Sequence, residues 1–378
     1  MWTAILLLLL LLIFSLFSYS TVNSILVESS RVRTPFLISR SKFFLVLSFL
    51  LFYILMAFRD ISVGIDTETY SELYLEIANS EIFFSSRYEL GYVLLNKFIG
   101  FLFPHSPQVF FMIVSIFVLY GYARFIFKYS YITWLSVLFF FLFEYFDLAI
   151  NLTRQSIAMV LVLYAYDFLI TRRKKAFFLL IIIAGLFHYT ALLFAIAYIV
   201  NFIKFNRQNI LYSFVLIFFV YVFAEYFVQL AFGSIGIYAD YANTVYADGN
   251  VRLASILNAL VILIFIVFTL LNKQTTKKYF ESKLDYANGE KMFWLIMLGL
   301  LIWVASFYFN QLGRLARYFT VFSIVYIPNL LYLIKQTHIR KYFYWNLFFC
   351  CFAIFYYLTI VCFRPEWNGV YPYKFFFL

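Results

Sequence analysis

The chain has 378 residues, of which 65% are apolar and 12% are charged, and its formal net charge is +11. A soluble domain carries about 25% charged residues and cannot bury so much apolar surface. The composition therefore predicts an all-α integral membrane protein and excludes a soluble enzyme. We expect one polytopic membrane domain over residues 1–378. Nucleic acid is not expected as a partner, because the basic residues lie in short runs between apolar segments.

Apolar runs that could cross a membrane follow one another along the chain. They cover residues 3–20, 43–58, 108–128, 131–149, 152–171, 176–203, 209–232, 253–272, 292–309, 315–334 and 341–362. All basic loops between them face the cytoplasm only if residues 89–103 form a re-entrant or interfacial element and residues 176–203 form a hairpin of two short helices. The prediction is about 12 transmembrane helices. Both termini are then outside, with outer loops at 59–107 and 233–252 and a cytoplasmic loop at 273–291.

The first outer loop begins at Arg59 and contains an amphipathic pattern. From Tyr70 onwards, apolar residues recur at helical spacing while acidic residues line the opposite face, which predicts a periplasmic helix that lies on the membrane. Asp66 precedes this helix and either caps it or acts as a base. Asp66 and Glu68 also form an acid-x-acid pair of the kind that holds a metal in some glycosyltransferases. Two residues do not make a metal site, so we expect no metal and no cofactor.

Polar residues interrupt an apolar stretch at Asn151, Arg154 and Gln155. Their spacing of three and four residues predicts that they share one helix face at the outer boundary. A polar face in so apolar a protein usually borders a cavity, although Asn151 can also cap the helix. Arg154 is a candidate for binding an anionic ligand, because a guanidinium presents a rigid fork of donors that matches phosphate oxygens.

A second basic site is predicted at Arg314, Arg317 and Tyr318. These residues share a face at the start of an apolar run, where a helix N-terminus adds its own positive potential. With Arg59 and Arg154, the two arginines make the outer side rich in Arg rather than Lys, which favours a pyrophosphate-bearing ligand. The alternative is that these arginines reach lipid headgroups or pair with acids.

Three residues are candidates for the general base. His188 lies in a membrane-embedded segment, and histidine ordinarily titrates near neutrality, but a structural role is the alternative. Asp66 and Glu89 would match it only if desolvation weakened their acidity. The sequence has no phosphate loop, Gly-rich dinucleotide motif, zinc-protease motif or nucleophile elbow, which argues against nucleotide hydrolysis, zinc chemistry and serine esterase chemistry.

Several stretches of the sequence occur in a recognisable order. They are Arg59-Asp60 with Val63-Gly64-Ile65-Asp66-Thr67 and Glu89-Leu90-Gly91-Tyr92, then Asn151-Leu152-Thr153-Arg154-Gln155, then Phe187-His188 with Ala191-Leu192, and more loosely Arg314, Arg317 and Tyr318 with Tyr371-Pro372-Tyr373. In this order they resemble the EpsG-like group of Wzy-type polysaccharide polymerases. Each stretch is short, and the ordered set carries the resemblance.

The resemblance implies an enzyme of the bacterial inner membrane with a fold similar to the C-type membrane glycosyltransferases. Such an enzyme moves a growing glycan from one undecaprenyl pyrophosphate to the non-reducing end of a fresh lipid-linked repeat unit, and so builds O-antigen or capsule-type polysaccharide at the outer face. The implied partners are lipid-linked repeat units, membrane lipid and a chain-length regulator. A flippase for the same lipid, a glycan ligase and a membrane acyltransferase remain alternatives, as does a structural membrane protein without a site.

Overall fold

The regular elements of the chain are helices. The computed structural model describes residues 2–19, 40–80, 88–234, 253–281, 288–307 and 311–378. Within these ranges the strand pairing is a single antiparallel bridge between Arg59 and Phe375, so the all-α prediction is confirmed for the described part of the chain. Most of the predicted outer loop 233–252 lies outside the described residues.

The helices follow one another with short connections. In the first half of the chain they are α1 (Trp2–Tyr19), α2 (Arg40–Ala57), α3 (Thr67–Asn79), α4 (Leu90–Leu102), α5 (Pro107–Tyr129), α6 (Thr133–Leu142), α7 (Tyr145–Asn151), α8 (Thr153–Ile170), α9 (Lys174–Gly185) and a 3₁₀ helix (Tyr189–Asn201). The second half contains α10 (Arg207–Ser234), α11 (Leu253–Leu271), α12 (Lys273–Phe280), α13 (Gly289–Ala305), α14 (Gln311–Thr320), α15 (Ser323–Thr337), α16 (Ile339–Phe363) and a short 3₁₀ turn (Pro365–Trp367).

Four described helices are long and apolar enough to cross a membrane. They are α5, α11, α16 and the stretch Leu312–Thr337, which covers α14 and α15. Helices α6 and α7 add a fifth span if the pair, bent by 51°, is counted as one crossing. Within the described residues the chain is therefore a multi-pass membrane protein with four or five candidate spans, and the larger number of about 12 stays a prediction.

The chain folds into two compact units. Unit 1 comprises Met1–Tyr166, Phe178–Leu192 and Ile334–Leu378, and in it α2 packs against α5 and α6, α3 against α4, and α16 against α6. Unit 2 comprises Asp167–Phe177 and Leu193–Leu333, and in it α13 packs against α10, α11 and α14.

Aromatic rings hold the centre of unit 1 together. The ring of Phe52 on α2 lies 5.4 Å from that of Phe140, 6.1 Å from that of Phe141 and 4.6 Å from that of Phe146. Aromatic pairs of this kind contribute about 0.5–1.5 kcal/mol each beyond the area that they bury. Because Phe146 belongs to α7, this cluster fixes α7 against α2 and sets the position of Asn151 at the end of α7.

The predicted amphipathic helix is confirmed as α3. Its buried residues include Tyr70, Leu73, Tyr74 and Ile77, whereas the acidic residues of the opposite face are exposed. The apolar face packs against α4 and α5, which corrects the expectation that it lies on the membrane. The physical reason is that this face has partners within the protein. The hydroxyl of Tyr74, for example, donates a hydrogen bond to the carbonyl of Phe103, directly after α4, at 2.8 Å.

The two segments on which the predicted topology depends are both short and helical. Residues 89–103 form α4, whose 13 residues extend about 20 Å, less than the roughly 30 Å of a bilayer core. Residues 176–203 divide into α9 and the 3₁₀ helix, with His188 at their junction. The ring of Phe177 lies 6.2 Å from that of Phe194 and 5.6 Å from that of Tyr198, so the two segments run back along each other.

Candidate functional site

Glu89, Arg154 and His188 meet in unit 1, although Glu89 is separated from the other two by 65 and 99 residues. Nη1 of Arg154 donates to Oε2 of Glu89 at 2.6 Å, and Nδ1 of His188 lies 3.0 Å from Oε1. The backbone N–H of Tyr189 donates to the same Oε1 at 3.3 Å. Three candidates that the sequence names separately therefore form one cluster around a single carboxylate.

A glycine brings the carboxylate to the histidine. The N–H groups of Gly91 and Tyr92, in the first turn of α4, donate to the carbonyl of Leu186 at 2.8 and 3.3 Å. A Cβ at position 91 would lie 2.8 Å from that carbonyl oxygen, closer than real Cβ atoms approach. Glycine is thus required for α4 to begin directly against the hairpin tip, and this contact places Glu89 beside His188.

Glu89 is ionised because of its two charged or polar partners. Burial, which leaves 3% of the residue exposed, would by itself raise the pKa of the carboxyl. The hydrogen bond with His188 and the charge of Arg154 outweigh burial and lower the pKa of Glu89 to about 2. The side chains of Arg154 and His188 are 25% and 18% exposed, so these two groups can reach a ligand.

Tyrosines surround the guanidinium of Arg154. Its central carbon lies 5.7 Å from the ring centre of Tyr88 and 5.8 Å from that of Tyr92. The hydroxyl of Tyr70, on the buried face of α3, also interacts with Arg154. Aromatic faces attract a cation, so these rings hold the guanidinium in place at the rim of the cluster.

Asp66 lies close to this cluster without belonging to it. It precedes α3, is half-buried, and its side chain makes no capping hydrogen bond at the start of that helix. It lies one helical turn before Tyr70 and interacts electrostatically with the Tyr70 hydroxyl. Asp66 thus remains a second candidate for the base, while the capping role suggested by its position is not observed.

The turn that carries Asp66 is fixed by a second polar residue, Asn151. Its Oδ1 accepts from the N–H of Ile65 at 2.7 Å, and its Nδ2 donates to the carbonyls of Asp147 at 3.1 Å and Asn368 at 2.7 Å. Gly64 has φ +89°, and a Cβ there would come within 2.7 Å of the Asn151 Oδ1. Asn151 therefore holds three chain segments together.

Asn151 and Arg154 do not lie on one helix, which corrects the predicted shared face. Helix α7 ends at Asn151, the backbone leaves helical geometry at Leu152, and α8 begins at Thr153. The break lies where the Asn151 side chain bonds to two other segments, at Ile65 and at Asn368. Gln155 follows Arg154 on α8 and is buried, and its place in a polar cavity stays a prediction.

Arg59 has a structural environment. It is 1% exposed, its Nε donates to Thr67 Oγ1 at 3.2 Å, and Nη1 and Nη2 donate to the carbonyls of Met56 and Ile150. Its guanidinium also lies 4.2 Å from the ring centre of Phe111. Because Arg59 is buried and each of its three nitrogens donates to an acceptor inside unit 1, we do not assign it to pyrophosphate.

Arg314, Arg317 and Tyr318 belong to α14 in unit 2. Arg314 is exposed and Arg317 is half-buried, with its guanidinium 5.3 Å from the ring centre of Trp303. Tyr318 is fully buried. The assignment of Arg314 and Arg317 to pyrophosphate stays a prediction.

Two buried acids, Glu144 and Asp147, stand at the bend between α6 and α7 and are not among the sequence candidates. Glu144 accepts from the hydroxyl of Tyr356 at 3.0 Å and from Nδ2 of Asn368 at 2.5 Å, and Asp147 accepts from the hydroxyl of Tyr357 at 3.4 Å. These hydrogen bonds connect the bent pair of α6 and α7 to α16 and to the segment that follows it. Two acids inside an apolar run are the signal that could have found them, since such residues are costly in a membrane unless they are paired.

No group of three or more His, Cys, Asp or Glu side chains in the described residues has the arrangement of a metal site. The EpsG family matches the chain over residues 42–375. This range includes the cluster, the Asn151 contacts and the two arginines of α14. No curated protein and no solved structure shows a significant match to the chain.

Proposed function

Because the chain belongs to the EpsG family, whose members are membrane proteins similar to Wzy-type polymerases, we propose that it is a glycosyltransferase that polymerises undecaprenyl-pyrophosphate-linked oligosaccharide repeat units. The product would be an O-antigen or capsule-type polysaccharide made at the outer face of a bacterial inner membrane. The observation that carries the proposal is the contact of Arg154 and His188 with one carboxylate, which places a cation and a proton acceptor side by side in an apolar helical protein.

The reaction requires a base at the acceptor sugar. A hydroxyl oxygen of the fresh repeat unit attacks the anomeric carbon of the donor glycan and forms the new glycosidic bond. The bond between that carbon and the pyrophosphate oxygen breaks, and undecaprenyl pyrophosphate leaves with the electron pair. We assign removal of the hydroxyl proton to His188, because an imidazole is a suitable base near neutral pH and its ring is partly exposed.

The leaving pyrophosphate requires cations. A guanidinium carries five N–H donors, so the bond from Arg154 to Glu89 leaves donors for phosphate oxygens. Cations placed where negative charge develops lower the barrier most when water is excluded. We assign Arg154 to this role. The separate assignment of Arg314 and Arg317, on α14 of unit 2, to pyrophosphate stays a prediction.

The orientation of the cluster is part of the proposal. The positive-inside rule assigns Lys174 to the cytoplasm and His188 to the outer side. Single cysteines at positions 174 and 188, in a background without Cys350, Cys351 and Cys362, should react with a membrane-impermeant thiol reagent from the cytoplasm and from outside, respectively. Labelling of position 188 from the cytoplasm alone would contradict the predicted crossing of the hairpin and the outer placement of His188.

The function itself is tested by deleting the gene in a strain whose surface glycan can be separated by length. Loss of a polymerase leaves one repeat unit per lipid at the surface. Loss of a flippase leaves none there, and loss of a ligase abolishes attachment of the finished glycan. Purified protein in liposomes with a synthetic lipid-linked repeat unit should release one undecaprenyl pyrophosphate per glycosidic bond formed, and no product at all would refute the polymerase assignment.

A further inference from the structure

We propose that Glu89 is a positioning residue that fixes His188 in the tautomer with its proton on Nδ1, so that Nε2 is the atom that removes the hydroxyl proton. This inference rests on the proposed function. In this inference the carboxylate of Glu89 positions the base and is not itself the base. The geometry of the cluster of Glu89, Arg154 and His188 supports it.

Both carboxylate oxygens of Glu89 already accept hydrogen bonds from the protein. Oε1 accepts from His188 and from the N–H of Tyr189, and Oε2 accepts from Arg154. The side chain is 4% exposed, against 18% for His188. A base must come within about 3 Å of the proton that it removes. The imidazole meets this requirement better than the carboxylate does.

The charge of Glu89 decides the histidine tautomer. An ionised carboxylate can only accept hydrogen bonds, so the Nδ1 atom at 3.0 Å must carry the proton. Nε2 then has the lone pair, and it makes no hydrogen bond within the described residues. A second nitrogen held in this way acts as a base in the arrangement of a carboxylate, a histidine and a nucleophilic hydroxyl.

Main-chain hydrogen bonds hold His188 and Glu89 next to each other. The N–H of His188 donates to the carbonyl of Ala184 at 3.0 Å, and the carbonyl of His188 accepts from Ala191 at 2.9 Å. Leu186 accepts from the first turn of α4, which begins directly after Glu89. The main chain that carries His188 and the main chain next to Glu89 are therefore held at the hairpin tip, and the 3.0 Å contact between Nδ1 and Oε1 orients the ring. When Nε2 takes up a proton, the resulting imidazolium lies against a negative charge, which stabilises it.

A double-substitution series in the liposome assay tests this role. We expect Glu89→Gln and His188→Gln each to lower turnover about 10²–10⁴-fold. The double variant should be no slower than the slower single variant, because residues that act as one unit are not additive. Glu72→Gln, which removes an exposed acid on α3, is the matched control and should retain the wild-type rate.

The dependence of rate on pH separates positioning from a general structural role. In Glu89→Gln the carboxylate no longer stabilises the imidazolium, so the acid limb of the residual rate should shift to lower pH. An unchanged limb, or losses that multiply in the double variant, would overturn the inference.

The outcomes also separate this inference from the proposed function. If the wild-type protein forms polymer and His188→Gln is impaired but Glu89→Gln is not, the positioning role is wrong and the function stands. If the wild-type protein forms no polymer, the proposed function is wrong. If Glu89→Gln alone is inactive while His188→Gln is normal, Glu89 acts without the histidine and the inference is refuted.

Discussion

Replacement of Gly91 by Ala should separate Glu89 from His188 without removing either group. The added Cβ would lie 2.8 Å from the Leu186 carbonyl oxygen, whereas 3.4 Å is the lower end of an ordinary contact, so about 0.6 Å must be taken up. If the hairpin tip yields by this amount, the distance between Nδ1 of His188 and Oε1 of Glu89 grows from 3.0 Å to about 3.6 Å, beyond a hydrogen bond.

The expected loss is mainly catalytic. A displacement of about 1 Å at a positioning contact costs on the order of 10²-fold in rate, and overpacking costs about 1–3 kcal/mol of stability. We would measure polymer formed per folded protein in liposomes, together with thermal unfolding in detergent. Gly289→Ala is the control, because its added Cβ would also be too close to a neighbouring residue, here the side chain of Tyr279, but in unit 2.

The control should lose stability and retain its rate. A Gly91→Ala variant with the wild-type rate would refute the reasoning, because it would show that the contact between α4 and Leu186 does not set the geometry of Glu89 and His188. A variant that fails to fold while Gly289→Ala folds would assign the glycine to stability alone.

The remaining predictions concern the arginines and the amide of unit 1. Arg154→Lys keeps the charge and loses the fork, so turnover should fall at least about tenfold, the equivalent of roughly 1.5–3 kcal/mol; a normal rate would remove Arg154 from the site. Arg314→Ala and Arg317→Ala should abolish long glycan chains at unchanged protein abundance, and wild-type chain lengths in both variants would contradict their assignment. Asn151→Ala leaves the N–H of Ile65 without its partner and should lower the free energy of unfolding by about 1–3 kcal/mol; an unchanged melting temperature would show that water replaces the amide.

The members of the site were readable from the sequence, but their contact was not. The sequence makes His188 a candidate because it lies in a membrane-embedded segment and histidine is a suitable base near neutral pH, and Arg154 because a guanidinium suits phosphate. Their meeting at Glu89 depends on the docking of α4 on the hairpin tip. No local pattern reports this contact, since the partners lie 65 and 99 residues apart.

Residues of the same chemical type received different roles from their surroundings. Arg59 and Arg154 are equally plausible phosphate ligands in the sequence. The structure engages all three hydrogen-bonding nitrogens of Arg59 within unit 1, whereas Arg154 remains a quarter exposed. Similarly, Glu89 and Asp66 are both candidate bases in the sequence, yet only Glu89 has both its oxygens occupied by protein donors.

The sequence by itself determined that the protein lies in a lipid bilayer and that its fold is helical. So many apolar residues need a bilayer, helices satisfy their own backbone hydrogen bonds there, and the period of apolar residues in α3 identified its buried face. Tertiary structure decided where the helices break, at Phe143–Glu144 and at Leu152, and which polar groups meet. The physical reason is that buried acids at the bend need partners from distant segments. Two tyrosines of α16 and the amide of Asn368 donate hydrogen bonds to the carboxylates of Glu144 and Asp147.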